Sequence, residues 1–253
     1  MTGLTVLLAC TLDRPDEKLL PLVFLAGTAC ELGAPRVVLA APYLPCMRHD
    51  RRFQPGEGIT SAHFARLLSG VVDGLVTVDP HLHRRSSLAE LYPIPCAVAH
   101  AAPAISRWVA VNVERPLLIG PDAESEQWVA AVVSEAGAPF LVLRKVRRGD
   151  REVEVSVPDV GRWSGHTPVL VDDIVSTART MAGTVGHLRR AGMPAPVCVG
   201  VHAVFAPGAR EELTSAGAGR VVTCNTISSI RATRSTCSRC SRLRLPRCSP
   251  GTP

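Results

Sequence analysis

"HTPVLVDDIVSTARTMAGTVGHLRRAG", residues 166–192, decides how this chain folds. The run Pro168–Val171 has the apolar, β-branched character of a short buried strand, while Met181, Val185, Leu188 and Ala191 recur at the spacing of one helix face. A strand therefore passes into a helix through "DDIVSTART", and Gly192 is a natural stop. In an open α/β sheet such a junction lies at the carboxyl end of the strand, where ligands bind. Ser176, Thr177 and Thr180 bring hydroxyl donors, and the helix start brings free backbone N–H groups and the positive end of a dipole. Both suit a phosphate. Asp172 and Asp173 would repel one, so they read as acceptors for another part of the same ligand, either vicinal sugar hydroxyls or a metal-bound water. A sugar phosphate satisfies both halves. The plainer reading has the Asp pair capping the helix and turn, although a cap needs only one Asp.

The same alternation extends through the chain. "GLTVLLACTLD" reads as a strand, followed by a Leu- and Ala-rich helix up to Gly33 and a strand in "RVVLAAPYL". A turn-rich basic segment leads to a helix from Thr60 to Leu68, then to a strand in "GLVTVDPHLHR" and another in "PCAVAHA". "APAISRWVAVNV" is a helix at a domain junction, after which strand "PLLIGPD", helix "SEQWVAAVVSEAG" and strand "PFLVLRKV" open a second unit. A basic loop, a strand "VEVSVPD", the quoted junction, and strands in "PVCVGVHAVF" and "RVVTC" complete it. Strands alternating with helices predict an α/β architecture.

Composition removes several classes of function. No stretch approaches a membrane span, and no basic segment with an apolar core opens the chain, which predicts a cytoplasmic protein. Residues 228–253 hold six Arg and no Asp, Glu or Lys; without them the 28 Lys and Arg fall to 22, against 22 Asp and Glu. The basic balance thus belongs to the tail, and the neutral body has no electrostatic case for nucleic acid. Cys237 and Cys240 form a CxxC without a second pair to complete a zinc site. Cys10, Cys30, Cys46, Cys96, Cys198 and Cys224 stand singly and read as reduced, mostly buried thiols.

Three strand ends carry polar groups: Asp79-Pro80-His81, Pro121-Asp122 and Asp172-Asp173. An imidazole and carboxylates gathered there would suit a hard divalent cation such as magnesium, with His83 the weaker candidate because it lies further into the loop. Two basic clusters, Met47–Arg52 and Arg144–Arg151, would neutralise a polyphosphate. Together they point to phosphoryl transfer, where catalysis is chiefly positioning and charge neutralisation.

"APYLPCMRHDRRFQPGEGITSAHFARLL", "LVTVDPHLHR", "LLIGPD", "LRKVRRGDREVEV" and "VLVDDIVSTARTM", in this order, resemble the ribose-phosphate pyrophosphokinase family, from about Gly3 to Ile227. The resemblance implies two type I phosphoribosyltransferase-like domains, each with a mainly parallel sheet flanked by helices, at 1–103 and 104–227, followed by a basic, disordered tail at 228–253. It implies transfer of pyrophosphate from ATP to ribose 5-phosphate, with magnesium, by a homo-oligomer. By matching motifs, Asp172, Asp173, Ser176, Thr177, Ala178, Arg179 and Thr180 would hold ribose 5-phosphate. Lys145 and Arg147 would lie on a mobile catalytic loop, with Arg147 also reaching the sugar phosphate. Arg48, His49 and Asp50 would contact ATP, and His81 and Asp122 would bind the metal. His49 stands where the family usually has Gln, and "STAR" departs from its usual phosphate loop. The family also has an N-terminal segment with an Asp-Gly-Glu loop, and an apolar helix after the strand matched by "VVTCNTI"; neither is legible here, which predicts a missing start and a change of reading frame after Ile227. Two other readings are a regulatory relative that binds ribose phosphate without turnover, and a phosphoribosyltransferase that consumes the product.

Overall fold

In the computed structural model of the chain, β1 (Thr5–Ala9), β2 (Arg36–Ala40), β3 (Gly74–Val78) and β4 (Cys96–Ala99) form a sheet in sequence order, every neighbouring pair parallel. The structure describes residues 3–120, 132–133, 137–148, 152–156, 160–227 and 240–243. Two units are formed, Met1–His100 with Thr226–Ser228 and Ala101–Asn225 with Ser229–Pro253. Parallel neighbours need crossover connections. In the first unit these are α1 (Pro15–Glu31), α2 (Thr60–Ser69) and a 3-10 turn at Leu88–Glu90. Val37 and Leu39 of β2, Leu75 of β3, Leu22 and Ala26 of α1, and Ala65 and Leu68 of α2 meet in its core.

The second unit begins with α3 (Ala102–Asn112) and β5 (Pro116–Gly120). β6 (Phe140–Val142) joins one side of β5; β9 (Thr167–Val175) joins the other, followed outward by β10 (Val197–Ala203), β11 (Arg220–Cys224) and β12 (Cys240–Leu243). All five pairings are parallel. Between β6 and β9 the chain makes an antiparallel hairpin, β7 (Arg144–Arg148) with β8 (Glu152–Ser156). Helices α4 (Arg179–Arg190) and α5 (Ala209–Ser215) follow β9 and β10. The chain thus leaves β5 in one direction and later resumes beside it in the other, so the order reverses between β5 and β9. Open α/β sheets bind ligands outside the carboxyl ends of the strands at such a switch point.

Local chemistry accounts for the helix ends. Helix α1 starts with Pro15 in its first turn beside Asp16 and Glu17, residues that suit free N–H groups and a positive dipole end. It stops at Gly33, whose φ of 84° is left-handed; Ala34 N–H reaches Ala29 C=O at 3.0 Å and Gly33 N–H reaches Cys30 C=O at 2.9 Å. Helix α4 ends in the same way at Gly192, with Met193 N–H on Leu188 C=O at 3.0 Å and Gly192 N–H on Arg189 C=O at 3.1 Å. In both, carbonyls left over by the last turn are satisfied.

Four sequence expectations are revised. Met181, Val185 and Leu188 are buried as the helical spacing predicts, but Ala191 is exposed and Met193, just past the stop, packs in its place. "PFLVLRKV" is two strands, broken at the fully buried Leu143: β6 stays in the main sheet, while β7 leaves it to pair with β8. Within 228–253, expected to have no strand, Cys240–Leu243 pairs with Val221–Cys224 of β11, whose outer edge would otherwise present unpaired backbone groups. Of the six single cysteines only Cys198 and Cys224 are buried and Cys30 is exposed, and among the described residues none of the six is in a disulfide; burial pushes the Cys198 thiol up to about 12. The helix expected over "SEQWVAAVVSEAG" lies outside the described residues except at 132–133. Among the described residues no helix is long and apolar enough to cross a membrane.

Candidate functional site

Strand β9 is longer than the sequence predicts. Asp172 and Asp173 lie within it, with Ile174 and Val175 still to come, because β10 continues to pair alongside: Gly200 with Asp172, His202 with Ile174 and Ala203 with Val175. On the opposite side the pairing with β5 ends at Ile119 and Leu170. The two half-buried acids therefore stand beyond the last β5 pairing, where the sheet order reverses. Each folds back on the backbone: Asp173 N–H donates to Asp172 Oδ1 at 2.9 Å, and Ile174 N–H to Asp173 Oδ1 at 2.6 Å. Gly200 leaves room for the Val175 side chain, since a Cβ at that position would stand 2.7 Å from Val175 Cγ2.

The loop from Ser176 to Ala178 is tied down from behind and open in front. Ala206 N–H donates to the Ser176 carbonyl at 3.2 Å, and Ala178 N-caps α4 with a left-handed φ of 61°. For a residue with a Cβ this conformation costs about 1–3 kcal/mol. The Ala178 side chain offers no acceptor to the first turn of α4, and that turn holds no acidic residue. His187, Arg189 and Arg190 in the last turn complement the negative dipole end. Ser176 is half-buried; Thr177, Arg179 and Thr180 are exposed. Hydroxyls, a cation and uncapped N–H groups in one turn form an anion-binding arrangement, with two carboxylates just upstream.

In the first unit the predicted residues sit on two loops. The chain turns at Cys46, with φ of 64°, and His49 N–H closes the turn on Cys46 C=O at 2.9 Å. Met47 is buried and anchors the turn, which leaves Arg48 and His49 exposed. The Asp50 side chain is only 5% exposed and accepts from Arg84 Nη1 through both oxygens at 3.0 Å. That ion pair joins the basic loop to the loop after β3, on which His81 lies with its ring edge-on to His83, centroids 4.0 Å apart. At the start of the same loop Asp79 has a φ of 33°, is buried, and accepts from His100 Nδ1 at 2.9 Å. Arg84 and His100 were not singled out from sequence. Arg84 ends the quoted "LVTVDPHLHR" and was legible as a neighbour; His100, 21 residues from Asp79, carries no local signal.

Lys145 and Arg147, expected on a mobile loop, occupy alternate positions of strand β7, opposite Val155 and Val153 of β8. Alternating β-branched residues in "EVEVS" favour such a pairing. Asp122 lies outside the described residues.

A phosphoribosyl transferase domain family matches residues 87–238, a range that continues past Ile227, where the sequence reading ended the resemblance. A ribose-phosphate pyrophosphokinase of Methanopyrus kandleri is 30% identical over 226 residues, covering 88% of this chain and 76% of the relative. The chain belongs to the ribose-phosphate pyrophosphokinase family. The enzyme of that description from Methanothermobacter thermautotrophicus is 32% identical over 215 residues, covering 85% of this chain and 74% of its own. The crystal structure of phosphoribosylpyrophosphate synthetase from Mycobacterium smegmatis, 24% identical, aligns over 95% of this chain and 77% of that one with a TM-score of 0.80, and so shares the fold. The α/β architecture of two mainly parallel sheets is thus the phosphoribosyltransferase type, and the chain is an enzyme of the pyrophosphokinase family.

Proposed function

We propose that this chain transfers the β,γ-pyrophosphoryl group of ATP to the anomeric hydroxyl of ribose 5-phosphate, giving 5-phosphoribosyl 1-pyrophosphate and AMP for nucleotide synthesis in the cytoplasm. The sugar oxygen forms a bond to the β-phosphorus as the bond to the α-phosphate oxygen breaks, and the hydroxyl proton is lost. Supporting this is one observation above the rest: an uncapped, acid-free start of α4 lies next to two carboxylates at the switch point of the second sheet. In this reading Ser176 to Thr180 and the first turn of α4 hold the 5-phosphate, while Asp172 and Asp173 accept from ribose hydroxyls. The carboxylates discriminate against a bare phosphate, and the hydroxyl loop against a sugar without one.

The remaining residues act on the triphosphate. Arg48 and His49 contact ATP from a turn that Met47 anchors, with Asp50 positioning that turn through Arg84 rather than touching the nucleotide. Lys145 and Arg147 neutralise charge on the pyrophosphoryl group in flight, and Arg147 also reaches the sugar phosphate. Magnesium keeps most of its waters and takes few protein ligands. A half-buried imidazole on the loop after β3, edge-on to His83, fits that demand, so His81 would hold the ion together with Asp122. Bound there, the ion would screen the triphosphate charge. The test is AMP release from ATP and magnesium by purified protein. AMP that appears only with ribose 5-phosphate supports the assignment; ribose 5-phosphate binding without any AMP replaces it with the regulatory reading.

A further inference from the structure

Asp79 stands immediately after β3 with a φ of 33°, on the positive side that side chains with a Cβ avoid, and the ring of Pro80 behind it narrows its choices further. Such a backbone persists only where the surroundings over-determine it. Two contacts from the end of β4 do so here. Asp79 N–H donates to Ala99 C=O at 3.0 Å, and His100 Nδ1 donates to Asp79 Oδ1 at 2.9 Å. Successive residues at one strand end thus hold both the main chain and the side chain of Asp79.

The imidazole contributes more than its position on the surface suggests. Its side chain is 70% exposed, against 6% for Asp79, so solvent would satisfy it in many orientations. The bond to Asp79 selects one. A carboxylate only accepts, so Nδ1 carries a hydrogen and the ring is held in a single direction.

The contact fixes the start of the loop that carries His81. At the far end of that loop Arg84 bonds Asp50, and between the two ends Leu82 packs against the core of the first unit. Arg85 N–H turns back onto Leu82 C=O at 3.1 Å. His81 therefore lies on a short span tied at both ends, two residues from the strained one.

We propose that His100 is a positioning residue: by bonding the Asp79 carboxylate it holds the strained start of this loop and so aims His81 at the divalent cation. The inference rests on the reading of His81 as a metal ligand, and it adds a residue 21 positions from Asp79.

Manganese binding to the full chain tests it, followed through the electron paramagnetic resonance of the free ion, because manganese shares magnesium's preference for octahedral, oxygen-rich sites. His100→Ala should raise the manganese dissociation constant about tenfold, the low end of what losing a supporting group costs a metal site. The calorimetric affinity for ribose 5-phosphate should not change. His100→Asn, whose amide N–H overlays Nδ1, should restore metal affinity; His100→Gln, whose amide overlays the outward Nε2, should not. The magnesium concentration for half-maximal turnover should follow the same order. His81→Ala is the reference. If it leaves manganese binding unchanged, the metal reading fails and the proposal falls with it. If it weakens binding while His100→Ala does not, the proposal alone is overturned. Equal losses of metal and ribose 5-phosphate affinity in His100→Ala, or rescue by Gln rather than Asn, overturn it as well.

Discussion

The two units are built by one local grammar and differ in how they prepare a binding edge. In the first, the described strands follow chain order and their connections step in one direction across the sheet. Its polar loops are instead fixed by long-range side-chain bonds, Arg84 to Asp50 and His100 to Asp79. In the second, the order reverses between β5 and β9, and the topology itself brings Asp172 to Thr180 to an open edge. Within that edge the holding contacts come mainly from backbone: Ala206 on Ser176, and the register of β9 with β10. One half of the enzyme positions its residues by ion pairs, the other by chain path.

The largest expected effect tests the triphosphate side of this division. Neutralising Lys145 or Arg147 to Ala should lower turnover about 100- to 1,000-fold, the usual loss for one transition-state charge partner, with ribose 5-phosphate binding retained for Lys145→Ala. Rates of AMP release alongside calorimetry would check it; an unchanged rate for both variants removes β7 from the chemistry.

Next is Gly200→Ala. Its new Cβ must displace Val175, which is buried immediately ahead of the phosphate loop. Overpacking of this kind costs about 1–3 kcal/mol. We expect denaturant unfolding to show that loss and titration to show weaker ribose 5-phosphate binding. A destabilised protein of normal affinity would mean the register with β10 does not position the loop.

Arg84→Ala sharpens the contrast from the other side. It leaves the nearly enclosed Asp50 carboxylate without its partner, which costs about 1–3 kcal/mol. The KM for ATP should rise several-fold while ribose 5-phosphate affinity holds, because only the first unit depends on this bond. Equal changes in both would contradict a role for this ion pair confined to the first unit.

The smallest effects concern stability alone. Ala178→Gly relieves a left-handed backbone and should leave stability unchanged or raised by up to about 1 kcal/mol with unaltered ligand affinity. At the start of α1, burial of Asp13 works against its charge, but bonds from Lys18 and Thr11 outweigh it and bring the carboxyl below its ordinary range. A lowered folded pKa supplies stability above the unfolded value, near 4, and loses it as pH falls through the folded value. The melting temperatures of wild type and Asp13→Asn should differ at pH 6 and converge towards pH 2.

The sequence carried the local grammar well and the sheet boundaries poorly. Met181, Val185, Leu188 and Gly192 announce α4 and its end, because helix periodicity and the left-handed stop are written in adjacent residues. The strand ahead of them does not announce its length. Asp172 and Asp173 read as the end of an apolar run, but they lie inside β9 because β10, a strand further along the chain, continues to pair alongside them. "PFLVLRKV" failed for the converse reason: an unbroken β-prone run gives no sign that its second half pairs elsewhere. In the candidate site, the contiguous loop 176–180 was legible, whereas the Arg84 and His100 partnerships join residues that only the fold brings together.

An acidic pair and a hydroxylated turn adjoin at the end of β9, and one titration separates their roles. Ribose 5-phosphate and inorganic phosphate should be titrated calorimetrically into wild type and into Asp172→Asn/Asp173→Asn. We predict at least a tenfold loss of ribose 5-phosphate affinity in the variant, with phosphate binding retained or tightened because two repelling charges are gone. Unchanged ribose 5-phosphate affinity would contradict the assignment of the acids to the sugar.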